Sequence, residues 1–280
     1  MTAVTTRSGA DTAVYVFAVS RECDPAVLEG LAGHGEGGPV RSLLAGSLTA
    51  VVQDVPAAGF SESVLQQRLS DREELERCVR AHHGVVTALA AAVPTVPLPL
   101  ATLYLGEERA RTALGDREPR FRAALDRITG RVEWGVKVYA LPEPAAPAGP
   151  GTTAERPAPV AVTAAGPASP SPGAGRAYLD RIRGRQQARQ VRYDTALRTA
   201  EEVDAALRRH VVAGRRLRLH GPETDGERRT QVLNAAYLAE RGADRELAAA
   251  IEPFRRDPGL RIEVTGPWVP YSFTHEGGDG

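Results

Sequence analysis

The sequence predicts an α+β protein of two domains, and three observations lead to this prediction. The chain has 280 residues, and a domain holds roughly 150, so two domains are expected. A segment rich in Pro, Ala and Gly occupies residues 142–175. Strand-like and helix-like patterns alternate on both sides of it. We therefore expect one domain at 12–141, a linker at 142–175 and a second domain at 176–274.

The linker prediction rests on composition. Proline recurs every few residues at 142–175 among Ala, Gly, Ser and Thr, with almost no charge and no aromatic residue. Such a segment cannot bury enough apolar surface to offset the entropy lost on ordering it. We expect an extended, mobile connection rather than a docked polyproline ligand.

Strands dominate the start of the first predicted domain. Ala13–Ser20 is almost wholly apolar and predicts a buried strand. Val40–Leu44 and Ser47–Val55 predict two further strands that turn at Gly46. Ser61 is a suitable cap for a short helix that ends at Leu69.

A longer helix follows in the first domain. Asp71 and Glu74 have the spacing of a capping box, and Pro94 ends the helical pattern. The apolar positions recur at intervals of three and four, which is typical of an amphipathic helix. They are Leu75, Cys78, Val79, His82, Val85, Val86, Leu89 and Val93.

The remaining elements of this domain complete an α+β pattern. Leu98–Leu105 is expected to be extended, Glu107–Leu114 and Pro119–Ile128 to be helical, and Arg131–Leu141 to form an alternating strand. The order β–ββ–α–β–α–β favours an antiparallel sheet with helices packed on one face.

The second domain opens with a long predicted helix, Arg176–Ala213, that Gly214 would end. About 35 residues span roughly 50 Å, so we expect this helix to project or to pair with another. Its heptad-like stripe is interrupted by Gln186 and Arg189. The apolar members are Leu179, Ile182, Tyr193, Ala196, Ala200, Val203, Leu207 and Val211.

Shorter elements follow this helix. Arg215–His220, Thr230–Ala239 and Leu260–Gly266 predict strands. Asp244–Phe254 predicts a helix capped at Asp244, and Thr274–Gly280 is expected to fray.

Composition narrows the classes of function. The formal net charge is +0 and the isoelectric point is near 7.0, which argues against a surface built wholly for phosphate or anionic lipid. Lys137 is the only lysine and stands in WGVKVY, so a Walker-type phosphate loop is excluded. The sequence contains no apolar run of 18 residues and no signal-peptide pattern. We expect a soluble cytoplasmic protein with no membrane partner.

Cys78 and His82 are the best candidate metal ligands. They lie four residues apart on one predicted helix face and are followed by His83. A zinc site needs further ligands, and His34 in a glycine-rich loop is the only candidate nearby in the sequence. Packing around one hydrogen-bonded imidazole therefore explains the pair better, and we predict no metal.

Two other segments have compositions found in ligand-binding or partner-binding sites. GHGEGG at Gly33–Gly38 resembles a phosphate cradle in composition, but Pro39 and a strand follow it where a helix would be required.

Arg176–Arg192 is rich in arginine with a single acid, Asp180. That segment fits nucleic acid, an acidic protein partner or a solvated helix face. The sequence has no HExxH, GxSxG or EF-hand motif, so we predict no enzyme, cofactor or small-molecule substrate.

Three stretches together resemble the gas vesicle protein F/L family. RVEWGVKVY at Arg131–Tyr139 is similar to a strand motif of that family. GPWVPYSF at Gly266–Phe273 is similar to its carboxyl-terminal motif, with Val269 where the family usually has Pro. The third stretch, Arg80–Tyr104, joins a helix containing His to PTVPLPLATLY.

The third stretch departs from the family pattern. Pro99 stands where the family usually has Arg, and Leu100 and Ala101 stand where Phe-Gly is common. GRAYL at Gly175–Leu179 also resembles the start of the family's long helix. These departures leave open whether the chain is of the F type or the L type.

The resemblance implies a non-enzymatic accessory protein for assembling gas vesicles, the hollow protein-walled buoyancy organelles of certain prokaryotes. It also implies a ferredoxin-like first domain and a second α+β domain with a long coiled-coil-like helix. Expected partners are the hydrophobic shell protein and other accessory proteins, so the chain is expected on the vesicle and in the cytoplasm. Nucleic acid is not expected as a partner on this interpretation. The alternative is a nucleic-acid-binding or regulatory adaptor that uses residues 176–192.

Two groups of residues are candidate contacts for a protein partner. Aromatic residues are scarce at 5% of the chain, yet three of them lie close together in the GPWVPYSF motif. The arginines of the long helix form the second group. The candidates are Trp268, Tyr271, Phe273, Arg181, Arg185 and Arg189.

Overall fold

In the described part of the chain, two antiparallel sheets are accompanied by five helices with defined bounds, and residues 64, 66 and 70 are also helical. The computed structural model describes residues 12–35, 37–60, 64, 66, 70–142, 174–219 and 229–274. The predictions for residues 61–63, 65, 67–69 and 220, for linker residues 143–173 and for residues 275–280 of the tail lie outside the described residues. The α+β class with antiparallel pairing is confirmed.

The first sheet contains five strands in the order β2-β3-β1-β4, with β5 also paired to β1. Its strands are β1 (Thr12–Ser20), β2 (Val40–Ala45), β3 (Leu48–Pro56), β4 (Thr95–Pro97) and β5 (Leu103–Tyr104). The second sheet has the order β7-β8-β6-β9. Its strands are β6 (Arg131–Ala140), β7 (Ala213–Arg216), β8 (Thr230–Glu240) and β9 (Leu260–Trp268).

The helices follow the predicted order. They are α1 (Arg72–Ala92), α2 (Glu107–Gly115), α3 (Glu118–Ile128), α4 (Ala174–Arg208) and α5 (Asp244–Ile251). The predicted cap of α1 is confirmed, because the Asp71 carboxylate accepts hydrogen bonds from the backbone N–H groups of Glu73 and Glu74 at 2.9 and 3.1 Å. Glu74 does not complete a reciprocal box, since its carboxylate pairs with Arg77.

Strand β6 joins the sheet of the second half of the chain. It lies between β8 and β9, although the sequence boundary at 141 assigned it to the first domain. The alternating pattern of Arg131–Leu141 predicts a strand but carries no information about its partner. The boundary between the two sheets therefore precedes Arg131.

Two predicted helix ends are wrong. Helix α4 ends at Arg208 rather than Ala213, and Gly214 lies in β7, because Ala213–Arg216 pairs with β8. Helix α5 starts at Asp244 without a side-chain cap, so Asp244 is not the cap residue. It ends at Ile251 and passes into a 3₁₀ turn containing Pro253, whose missing N–H cannot continue the α-helical hydrogen bonds.

The sheets share an apolar core. One buried cluster joins residues of β1–β3, α2 and α3 to Ala236 and Leu238 of β8 and to Phe273. A second cluster packs α5 and the end of α4 on the second sheet. Burial of aliphatic side chains in these clusters is the main source of stability.

Only the second half of the long helix is buried in the described structure. Its inward stripe consists of Ala196, Ala200, Val203 and Leu207. Every side chain from Arg183 to Arg192 is exposed. We call residues 176–192 the basic arm. Among the described residues, no helix is long and apolar enough to cross a lipid bilayer.

Candidate partner-binding surface

The GPWVPYSF motif begins on strand β9 with a tightly packed glycine and leaves the sheet after Trp268. Gly266 has a φ of 131°, which L side chains rarely adopt, and its peptide bond to Pro267 is cis. A Cβ atom here would lie 2.8 Å from the carbonyl oxygen of Glu133 and 3.1 Å from the Trp134 ring. The glycine is thus required where β9 approaches β6, next to a shift in the register of the two strands.

The end of the motif is held by hydrogen bonds from three elements. Ser272 donates from its backbone N–H and its hydroxyl to the Glu133 carboxylate, at 2.8 and 2.7 Å. Arg215 donates to the Ser272 carbonyl at 2.9 Å, and Arg127 to the Phe273 carbonyl at 3.1 Å. Burial raises the pKa of Glu133 above its ordinary value, and the Ser272 hydrogen bonds oppose this shift. These contacts fix the backbone of the motif.

The three aromatic residues of the motif have different environments. Phe273 is only 7% exposed and belongs to the shared core. Trp268 is 48% exposed, whereas Tyr271 is half-buried with its pKa raised to about 12 by burial. The His83 ring of α1 stands between them, with centroids 6.4 Å from Trp268 and 6.2 Å from Tyr271.

Two depressions meet at His83, and together we call them the aromatic groove. One has a volume of about 330 Å³ and lies between the end of α1, Val132 and Trp268. The other, of about 250 Å³, lies between Val79, His83 and Tyr271, beside the loop that follows β4. Its lining is almost wholly apolar, and Val79 is 45% exposed. The groove can accept apolar side chains of another molecule.

Sequence reasoning missed the contribution of α1 to this surface. Val79 and His82 belong to the same apolar stripe, but only His82 is buried. His83 lies next to this stripe and was considered only as an accessory metal ligand. The stripe is wider than the surface that covers it, and this difference becomes visible only in the tertiary structure.

The arginines of the basic arm lie apart from this groove. Arg185 and Arg189 are exposed on α4, and the side chain of Arg181 lies outside the described residues. Among the described residues, the groove is lined by α1, β4 and the loop after it, the end of α3, the start of β6, Arg241 and the GPWVPYSF motif, and no arm residue lines it. Arg185 and Arg189 therefore do not form one surface with the three aromatic candidates.

His82, one of the two candidate metal ligands of the sequence, is packed in the core. His82 is 4% exposed, and its Nδ1 lies 2.9 Å from the Tyr15 hydroxyl, which accepts a hydrogen bond from the N–H of Ala101. The Tyr15 hydroxyl and the imidazole thus share a hydrogen bond inside the core. Burial lowers the His82 pKa to about 4, and His34 adds to this effect. The described residues contain no group of three or more metal-ligating side chains.

The glycine-rich loop wraps around a buried amide. Gln53 accepts from the N–H of His34 at 2.8 Å and donates to the carbonyls of His34 and Gly38 at 3.0 and 2.8 Å. A Cβ atom at Gly33 or Gly37 would lie 2.4 Å from the Gln53 side chain. The glycines allow this close approach, which explains the composition of the loop without a phosphate ligand.

A buried carboxylate anchors the root of the long helix. Asp204 accepts hydrogen bonds from the Tyr237 hydroxyl at 2.7 Å, from Arg208 at 3.1 Å and from Arg216 at 2.9 Å. Burial alone would raise the Asp204 pKa, but these three hydrogen bonds lower it below its ordinary value. Glu201 also pairs with Arg216. The network joins α4 to β7 and β8.

Comparison with known proteins identifies the family. The family model described as gas vesicle synthesis protein GvpL/GvpF matches residues 13–275. The chain belongs to this family. The resemblance seen in the sequence motifs is therefore confirmed, and a role in gas vesicle formation follows.

Individual relatives agree with this assignment. Gas vesicle protein L of Streptomyces sp. (strain CB03234) is 38% identical over 260 residues, covering 92% of this chain and 91% of the relative. Gas vesicle protein F of the same organism is 24% identical over 262 residues, covering 92% and 98%. The crystal structure of gas vesicle protein GvpF from Anabaena sp. PCC7120 has a TM-score of 0.60 at 16% identity, covering 95% of this chain and 98% of that one. This last likeness concerns the fold.

Proposed function

We propose that this chain is a non-enzymatic accessory protein that binds the gas vesicle shell protein through the aromatic groove. The observation that carries the proposal is the half-exposed Trp268 in the larger depression of the groove, next to the almost wholly apolar smaller one. Hydrogen bonds of Ser272 to Glu133, of Arg215 to the Ser272 carbonyl and of Arg127 to the Phe273 carbonyl hold the end of the motif that contains this ring. A preordered aromatic contact loses little entropy on binding, so it suits an interface anchor.

The physical need for such a binder follows from the chemistry of a gas-filled compartment. A shell subunit must present an apolar surface to the gas, and exposed apolar patches of several hundred Å² promote aggregation in water. A protein that covers part of this apolar surface before assembly keeps the shell subunit from aggregating, so that the subunit remains available for assembly. The groove presents apolar side chains together with the polar ring of His83. It can therefore bind an apolar surface without being a fully hydrophobic surface itself.

Finer aspects of the role belong to the same proposal. The higher identity to gas vesicle protein L than to gas vesicle protein F supports an L-type role. We retain two domains, a ferredoxin-like first one and a second one with a coiled-coil-like helix, in which the exposed basic arm pairs with accessory proteins. The chain would act in the cytoplasm and on the vesicle.

Co-purification tests the groove. The tagged chain and the shell protein are expressed together, and the shell protein retained per tagged chain is measured. Trp268→Ala is expected to reduce retention several-fold. Leu44→Ala is the matched control, because Leu44 is 61% exposed on β2 and lines neither depression of the groove. Equal retention by wild type and Trp268→Ala, or equal loss in both variants, would contradict the proposal.

The exposure of the basic arm favours one second candidate function, nucleic-acid binding. Phosphate contacts by arm arginines would give duplex DNA binding that weakens steeply with salt. Filter binding at about 50 mM and 200 mM salt tests this. Retention that depends on Arg185 and Arg189 would support it, and no retention at about 50 mM would exclude it.

A further inference from the structure

A third cavity, of about 300 Å³, lies beside helix α3, on the other side of the loop that borders the aromatic groove. Its apolar floor is formed by Val96, Leu98, Phe121 and Ala124, all of them buried. Its rim carries three arginines, Arg117, Arg120 and Arg127. We call it the arginine pocket.

Two of the three rim arginines form no ion pair with an acidic side chain of the described residues. Neither Arg117 nor Arg120 has an ion pair or a side-chain hydrogen bond with another described residue, and both are exposed. The Arg127 side chain already donates a hydrogen bond to the Phe273 carbonyl. The described lining contains no Asp or Glu. The pocket therefore combines positive charge with a buried apolar floor.

The nearby carboxylates of α3 are occupied elsewhere. Glu118 binds the Ser47 hydroxyl and Arg122, and its pKa is lowered to about 2 chiefly by the Ser47 hydrogen bond. Asp126, on the other side of the helix, pairs with Arg21 at 2.5 Å. The positive end of the α3 dipole adds to the field at the rim. An anionic group entering the pocket meets attraction without a competing acid in its lining.

We infer that the arginine pocket binds an acidic peptide segment of a protein partner, with an apolar side chain on Phe121 and flanking carboxylates on Arg117 and Arg120. Guanidinium groups match carboxylates in planar, two-bond geometry. A cavity of this size holds one large side chain or two small ones. The apolar floor favours a peptide over a nucleic-acid backbone, since a phosphate would leave that floor unfilled.

This inference concerns a site distinct from the aromatic groove and does not depend on the shell protein as partner. The two sites share only Leu98 and Pro99, at the loop between them. A partner could occupy one site without the other. Failure of one proposal is thus separable from failure of the other.

The test uses the full chain and a fluorescent peptide of sequence GELEFEG, with GQLQFQG as the uncharged control. Binding is followed by fluorescence anisotropy at about 50 mM salt. We expect the glutamate peptide to bind about tenfold more tightly than the glutamine peptide. Arg117→Gln with Arg120→Gln is expected to remove this preference.

A matched variant separates the pocket from general surface charge. Arg255→Gln with Arg256→Gln removes the same charge from two exposed arginines outside the pocket, and it should leave the preference intact. In the charge-reversed variant, Arg117→Glu with Arg120→Glu, a lysine peptide GKLKFKG should bind more tightly than the glutamate peptide. That reversal would establish direct pairing.

Four outcomes would overturn the inference. The first is equal affinity of the wild type for both peptides, or no binding at about 1 mM peptide. The second is equal weakening by the two double variants. The third is a duplex oligonucleotide that displaces the glutamate peptide from the pocket. The fourth is peptide binding only after Glu276→Gln and Asp279→Asn, which would assign the pocket to the chain's own residues after Thr274.

Discussion

The anchor of the long helix offers the sharpest test of the fold. Asp204 is only 4% exposed and accepts hydrogen bonds from one hydroxyl and two guanidinium groups, at 2.7–3.1 Å. The perturbation is Asp204→Asn, which keeps the shape and the acceptor for Tyr237 but removes the charge. The two guanidiniums of Arg208 and Arg216 then lose their anionic partner.

The expected cost follows from the contacts. A hydrogen bond to a charged group contributes roughly 1.5–3 kcal/mol, and such contributions within one network do not add fully. Both arginines are about half exposed, so water replaces part of the lost interaction. We expect Asp204→Asn to lower the free energy of unfolding by about 2–4 kcal/mol. At roughly 2–4 °C per kcal/mol, Tm should fall by about 5–15 °C.

The effect should also depend on pH. Because the folded pKa of Asp204 lies below its unfolded value, its charge stabilises the fold above about pH 5, and this stabilisation is lost as the pH falls through the folded pKa. Urea unfolding followed by far-UV circular dichroism at pH 7 and pH 3.5 measures the difference. The gap between wild type and Asp204→Asn should narrow at pH 3.5.

Glu201→Gln is the matched control for this prediction. Glu201 pairs with the same Arg216 but is mostly exposed, so its loss should cost less than about 1 kcal/mol. The reasoning would be refuted if both variants had equal effects at pH 7. An Asp204→Asn effect that stays unchanged at pH 3.5 would refute the role of the charge.

Three further predictions concern the carboxyl-terminal motif and the buried histidine. Gly266→Ala should lower the free energy of unfolding, measured in urea, by about 2–3 kcal/mol, because Gly266 has a positive φ and a Cβ there would contact Glu133. A cost below about 0.5 kcal/mol would contradict this packing. Ser272→Ala should cost about 1–3 kcal/mol, since it leaves a half-buried carboxylate with fewer partners, and Ser272→Thr, which keeps the hydroxyl, should recover part of it. His82 should stay neutral in NMR titrations down to about pH 4. Since its folded pKa is lowered, it reduces stability progressively as the pH falls below about 6.5, and a pKa near 6.5 in the folded protein would contradict its burial against Tyr15.

Local patterns were predicted well because they are set by neighbours along the chain. The apolar run of β1, the turn at Gly46 and the Asp71 cap of α1 all depend on residues within a few positions. The helix ends at Arg208 and Ile251 were not predicted, since strand pairing of β7 ends α4 early and the 3₁₀ turn containing Pro253 ends α5 early.

The candidate site was predicted in part. The GPWVPYSF motif drew attention to Trp268, Tyr271 and Phe273, but periodicity could not distinguish the exposed ring from the buried one. His83 comes from a helix far away in the sequence, and the arginine pocket combines α3 with the loop after β4. Such surfaces depend on long-range contacts that no local pattern encodes.

The sequence by itself determined the α+β class, the type and order of most elements, and the family, because these depend on residue period, caps and motifs. Only the tertiary structure decided that β6 pairs with the second half of the chain, that Phe273 is core while Trp268 faces solvent, and that Asp204 anchors α4. The physical reason is that burial and charge pairing are properties of surfaces brought together from distant segments.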